Sequence, residues 1–184
     1  MEDKVVVLTL PPNFFDLVGA VHRQHNIPFN TRELPILALD PGETTGVAEY
    51  DGGNIVRVYQ KETKQIGLSY DWLFQVLESG SKENDARFSG SFNHIRIEDY
   101  RVYEWKSADH SWSQVHTLRL IGAFEACCHR YGVDQSYCMA QHAKQWWTDE
   151  KLKRFGIYPK GLKHGRDALR HLLYYMLFPN KVNA

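Results

Sequence analysis

The chain has 184 residues, 43% hydrophobic and 24% charged, the make-up of one globular domain long enough to bury a real core. No apolar run approaches the roughly 20 residues a membrane helix needs, and a formal net charge of zero does not advertise a polyanionic partner. The opening stretch MEDKVVVLTLPPNFF lacks the order of basic start, apolar core and small-residue cleavage site that marks a secretory signal, so a cytoplasmic protein is expected. Cys127, Cys128 and Cys138 are odd in number and lack metal-ligand spacing. They read as buried free thiols in a reducing compartment.

In chain order, residues 1–35 read as an N-terminal extension. A strand KVVVLTL precedes Pro11-Pro12, and Phe14, Leu17, Val18 and Val21 then recur at helical spacing. Pro28 and Pro35 close that unit. The expected main domain spans residues 36–184. It starts with a three-stranded meander: the continuous apolar run PILALD, suited to a strand buried on both faces, then GVAEYD, then IVRVYQ after the hairpin signal Asp51-Gly52-Gly53-Asn54. SYDWLFQVLES reads as a helix with Trp72, Leu73, Val76 and Leu77 inward, and GSKENDARFSGS as a polar loop. HIRIEDY is a fourth strand. An irregular RVYEWKSADHSW leads to a long helix, about Ser113 to Tyr131, whose expected inner face is Val115, Leu118, Ile121, Gly122, Ala126 and Cys127. DQSYCMA is a fifth strand, AQHAKQWW and DEKLKRFG are short helices, and a last helix runs from about Arg166 to Phe178, stopped by Pro179. This order predicts an α/β fold: a mixed five-stranded sheet flanked by helices, with a short strand-helix extension.

Charge is unevenly distributed. Residues 1–140 hold 13 Lys+Arg against 19 Asp+Glu, whereas residues 141–184 hold 9 against 3. A basic final quarter points to a surface that faces a polyanion.

Three acids stand at element ends. Asp40 ends the first strand of the meander, Glu98 ends the fourth strand, and Asp167 lies in the first turn of the last helix, with His164 three residues before it. Neighbouring strands lie about 5 Å apart, so Asp40 and Glu98 project from adjacent tips if those strands pair, and the last helix can carry Asp167 to the same place. Carboxylates that close repel unless a cation sits between them, and hard oxygen donors select Mg²⁺ or Mn²⁺. Two such ions about 4 Å apart support in-line phosphodiester hydrolysis. Each residue also has a plain structural reading: Asp40 as a turn former before Pro-Gly, Glu98 as a solvated strand end, Asp167 as a partner of the helix dipole, His164 as a surface histidine. Thr44 and Thr45 read either as strand-start residues or as phosphate contacts. Asp99 points to the face opposite Glu98.

LALDPGETTGVA around Asp40, IRIEDYRVY around Glu98 and HGRDAL with His164 and Asp167 resemble the active-site segments of RuvC-like Holliday junction resolvases, members of the RNase H-like superfamily. The stretch EDYRVYEWKSADHSWSQVHTLRLIGAFEACCHRYGV is also similar to that family's segment after the second acid, and the likeness covers about residues 36–178. The resemblance implies an RNase H-like fold and a homodimeric, Mg²⁺-dependent endodeoxyribonuclease, with Mn²⁺ able to substitute and two ions per site. Such an enzyme nicks four-way junctions symmetrically, in a bacterial cell or a phage-infected host. Asp40, Glu98 and Asp167 are then metal ligands, and His164 a fourth ligand or a group that positions the phosphate. An aromatic after Glu98 inserts at the junction centre, a part left open between Tyr100, Tyr103 and Trp105. Lys144, Lys151, Lys153, Arg154, Lys160, Lys163 and Arg166 are the expected DNA contacts, giving affinity through phosphates without reading sequence. Of Trp146 and Trp147, at least one is expected in the core. The extension and the longer aromatic loop after Glu98 depart from the family pattern.

Three rival readings remain. DPGETTG also resembles the phosphate loop of actin-like ATPases, which need two such domains where this chain has one copy. An RNase H-like nuclease acting on RNA–DNA hybrid, flaps or ribosomal RNA precursors keeps the active site and changes the substrate. A catalytically inactive nucleic-acid-binding module would keep only the fold.

Overall fold

The computed structural model describes residues 4–27, 35–65, 71–76, 92–100 and 112–179. Its strands are β1 (Val6–Thr9), β2 (Ile36–Asp40), β3 (Thr44–Tyr50), β4 (Ile55–Glu62), β5 (His94–Asp99) and β6 (Asp134–Met139). They make one mixed sheet in the order β1-β4-β3-β2-β5-β6. β2, β3 and β4 form the antiparallel meander, and β5 and β6 run parallel to β2. The helices are α1 (Pro12–His25), α2 (Trp112–Tyr131), α3 (Ala140–Trp146), α4 (Asp149–Arg154) and α5 (Lys163–Leu177); residues 71–76 are also helical.

The sheet has six strands where the sequence predicts five. The added strand is KVVVLTL of the extension, which pairs antiparallel with the outer edge of β4, Val6 opposite Val58 and Thr9 opposite Ile55. Helix α1 then packs over the same face as α5. Phe14, Val18 and Val21 are buried in one core with Leu169, Leu172 and Leu173, and the His22 ring bonds the Met176 carbonyl at 2.8 Å. Pro12 suits the first turn of α1, where its missing N–H costs nothing.

Alternation along the strands divides the core in two. Ile36, Ala38, Ala48, Tyr50, Val56 and Val58 face α1, α3, α4 and α5. Leu37, Leu39, Val47, Ile95 and Ile97 face α2 and the 71–76 helix, where Leu73 is buried and Trp72 and Val76 half-buried. Leu77 and the polar loop after it lie outside the described residues. Helix α2 is rotated from the expected face: Leu120, Phe124, Cys127 and Cys128 are buried together with the polar His116 and Thr117, while Leu118 is 42% exposed. The apolar pattern misled because two polar side chains hold inward positions. All three cysteines are free and buried, and Trp147 is fully buried while Trp146 is half-buried.

Candidate active site

One lateral row of the sheet organises the site. Gln60 of β4 is opposite Gly46 of β3, and Gly46 is opposite Asp40 of β2. One step beyond the parallel pair Leu39–Ile97, Asp40 stands beside Glu98 of β5, which is opposite Cys138 of β6. Helix α5 lies across this row. Its first turn can come close because Gly46 has no side chain: a Cβ there would lie 2.0 Å from the His164 carbonyl oxygen and 2.8 Å from the Gly165 nitrogen. Gly165 does the same from the helix, since a Cβ on it would meet the Tyr59 carbonyl oxygen and Val58 at 2.9 Å. The Gln60 Oε1 accepts the His164 N–H at 2.8 Å, satisfying a helix-start donor from another strand. That borrowed cap explains why α5 begins at Lys163, one turn before the expected Arg166.

The docking brings His164 Nδ1 to 3.0 Å from Asp40 Oδ2. Burial pushes the Asp40 pKa up and the charge of Glu98 adds to it, against the bond from His164. The same bond lifts the His164 imidazole above its usual value. The pair therefore holds a proton more tightly than either group would alone. The turn after Asp40 is locked by Thr45 and Thr63, whose hydroxyls bond each other at 2.9 Å and both reach the Gly42 carbonyl. Thr44 bonds Glu62 at 2.7 Å. Thr44 and Thr45 start β3, Thr63 directly follows β4, and together they hold the turn.

Asp167 is buried one turn into α5 and bonded by two cations. Arg170 Nη1 bonds its Oδ1, and Lys144 Nζ lies 3.1 Å from its Oδ2. Burial disfavours the Lys144 charge, but Glu98, Asp167 and Asp40 together outweigh it and raise its pKa. The ammonium of Lys144 thus sits in the field of all three acids. Sequence reading assigned Lys144 to DNA contact; its place among the carboxylates follows from α3 starting directly after β6, beside β5. Arg170 also donates to Asp149 and, at 2.8 Å, to the Trp147 carbonyl. On the other side, His171 Nε2 lies 2.7 Å from Glu98 Oε2. Arg170 and His171 were missed in the sequence; their signal was the i+3 and i+4 spacing from Asp167.

Asp40, Glu98, His164 and Asp167 are therefore brought to one place. Among the described residues no three His, Cys, Asp or Glu side chains are set to hold a metal ion as they stand; His164, His171, Lys144 and Arg170 each lie against a carboxylate oxygen of the three acids. The donor set itself, hard carboxylates with one imidazole around a cation, fits Mg²⁺ or Mn²⁺. The basic candidates divide. Lys151 lies 4.1 Å from the Trp146 ring centroid, Lys153 5.0 Å from that of Tyr158. Arg166 pairs with Asp149 at 3.4 Å and donates to the Tyr158 hydroxyl at 2.7 Å. Arg154, Lys160 and Lys163 are exposed. Tyr100 is half-buried just past β5, while Tyr103 and Trp105 lie outside the described residues. None of the helices among the described residues is long and apolar enough to cross a membrane.

No protein-family model matches the chain, and no curated protein matches it in sequence. Solved structures do. Thermus thermophilus RuvC in complex with a Holliday junction substrate superposes with a TM-score of 0.53 at 16% identity, over 79% of this chain and 94% of that one. A second Thermus thermophilus RuvC structure gives a TM-score of 0.50 at 18% identity, over 79% and 95%. The mixed sheet with helices on both faces is the RNase H-like fold of RuvC, carried here with one extra edge strand.

Proposed function

We propose that this protein is a divalent-metal-dependent endodeoxyribonuclease that resolves four-way DNA junctions by paired symmetric nicks. The observation that carries the reading is the convergence of Asp40, Glu98 and Asp167, from three distant segments, on one half-exposed ammonium at the strand ends of this fold. Asp40, Glu98 and Asp167, with His164 beside them, would hold Mg²⁺ or Mn²⁺, two ions per site, which supply charge stabilisation at the attacking and departing oxygens of a phosphodiester. Asp40 is fixed by its strand and locked turn, so it presents a carboxylate at one point without reorganisation. His164, at the helix start and partly exposed, can orient a water or a phosphate oxygen while bonded to Asp40. Lys144, on a flexible stem, can leave the acids and take up a phosphate. Arg154, Lys160 and Lys163 supply further phosphate contacts with strong salt dependence. The products carry 5′-phosphate and 3′-hydroxyl ends. Two copies related by a two-fold axis would match the symmetry of a junction.

The test is a cleavage assay at fixed salt with Mg²⁺, offering a mobile four-way junction, a flap, a plain duplex and an RNA–DNA hybrid side by side. Symmetric nicking of the junction is expected, with Asp40→Asn reducing it more than about 100-fold while junction binding in EDTA persists. Cutting of hybrid or flap with the junction untouched would keep the active site and overturn the substrate. Binding without any cutting by the unsubstituted chain would make it an inactive module.

A further inference from the structure

We propose that His171 is a positioning residue for Glu98, clamping one carboxylate oxygen so that the other stays aimed at the cation site; this rests on the nuclease reading above. His171 is fully buried and lies one helical turn after Asp167, on the same face of α5. Its Nε2 is 2.7 Å from Glu98 Oε2. A carboxylate oxygen only accepts, so Nε2 is the donor. Oε1 of Glu98 has no partner among the described residues. One helix therefore supplies an acid of the site and the group that orients another acid, from a neighbouring strand.

Packing does not explain a histidine here. Leu169, Leu172 and Leu173 surround it in the helix and are fully buried; an aliphatic side chain would suit the same core. The Cys138 thiol is the other polar neighbour of the ring, and burying a polar ring costs free energy that an aliphatic residue would avoid. Glu98 sits across from Cys138 in register, so the ring spans β5 and β6 under the acid and has no route to solvent. The contrast with His164 is plain: that imidazole is partly exposed and free to meet substrate, whereas His171 touches only the protein. Partners of this kind, hydrogen-bonded to a ligating carboxylate from behind, change metal affinity by about 10–100-fold when removed.

The experiment measures Mn²⁺ binding to the full chain by the loss of the free-ion EPR signal, without DNA. His171→Leu is expected to weaken Mn²⁺ binding about 10–100-fold with junction binding in EDTA unchanged. His171→Gln keeps a donor and should recover part of the loss. In a Glu98→Gln background His171→Leu should have no further effect. If the Leu variant does not fold, His171→Asn, too short to span the gap, is expected to weaken Mn²⁺ binding in its place. Wild-type Mn²⁺ affinity in a folded His171→Leu or His171→Asn chain overturns the positioning role while leaving the nuclease reading intact. An unsubstituted chain that binds no Mn²⁺, or binds it equally after Glu98→Gln, overturns the nuclease reading and this inference with it.

Discussion

Gly46→Ala tests how the site is assembled. Gly46 has an ordinary negative φ, unlike the glycines at 52, 132, 156 and 161, so alanine meets no backbone penalty and the effect is steric. The new Cβ would lie 2.0 Å from the His164 carbonyl oxygen, 2.2 Å from its carbon and 2.8 Å from the Gly165 nitrogen. All three are backbone atoms, so no side chain can swing aside. The first turn of α5 must retreat by roughly 1 Å or more to reach ordinary contact. That opens the 3.0 Å bond from His164 to Asp40 and the 2.8 Å bond from His164 N–H to Gln60. A misplacement near 1 Å costs about 100-fold in rate, and overpacking costs about 1–3 kcal/mol in stability. The assay is single-turnover nicking of a four-way junction with Mg²⁺, alongside thermal unfolding and an NMR titration of the His164 ring. Cleavage should fall about 100-fold, and the His164 pKa, raised by Asp40, should relax toward 6.5. The titration tests the geometry even if the true substrate differs. A folded Ala variant with wild-type cleavage and an unmoved His164 titration would refute the argument.

Two further predictions concern stability. His94 is buried, stacks on Tyr175 at 4.2 Å and lies 2.6 Å from Ser136 Oγ. Burial, helped by Arg96 and opposed by Asp134, pushes its pKa from 6.5 down to about 4. The folded value lies below the unfolded one, so this stability is complete above pH 6.5 and is lost as pH falls toward 4. At 1.36 kcal/mol per unit the loss is about 3 kcal/mol, and His94→Gln should remove that part of the pH slope in denaturant titrations; an unchanged slope would refute it. Arg170→Met strips Asp167, Asp149 and the Trp147 carbonyl of one shared donor. It should cost about 3–5 kcal/mol in chemical unfolding, with Arg170→Lys recovering only part, because an ammonium cannot reach three acceptors in one plane; a loss under about 1 kcal/mol would contradict the bridging role.

The parts legible in the sequence were those written in short-range chemistry. An apolar run ending in Asp40 before Pro-Gly announced a buried strand and its turn, and HGRDAL put an acid and a histidine at one helix start. The order of elements along the main domain followed from hairpin signals and helical spacing. What stayed hidden was settled by contacts between distant segments. KVVVLTL looked like a strand, yet nothing local says that it zips onto β4 about 50 residues later. The face of α2 slipped because His116 and Thr117 take inward positions and Leu118 an outward one, which periodicity of apolar residues cannot foresee. Gly46 read as one more strand residue; its meaning is the helix pressed against it. Lys144 read only as a DNA contact because its acidic neighbours come from β2, β5 and α5.

The four groups that neutralise the acids fall into two kinds, and the division bears on how the site could work. Arg170 and His171 are buried, have rigid planar heads, and are held on the far side of Asp167 and Glu98 by the body of α5. Moving Arg170 would take from the buried Asp167 one of its two cations, and moving His171 would take from the half-buried Glu98 its bonded partner, so both are fixtures of the fold. Lys144 and His164 have side chains 42% and 40% exposed, and each occupies the solvent side of its acid. Each is the exposed member of a pair whose acid is buried, so it can swing into water provided that another cation takes its place beside the acid. The site is thus arranged for exchange from outside: the acids are aimed by groups that stay and screened by groups that can go. An ammonium in the field of three carboxylates marks the place where positive charge is most stabilised, and a dication arriving there gains the same attraction with twice the charge.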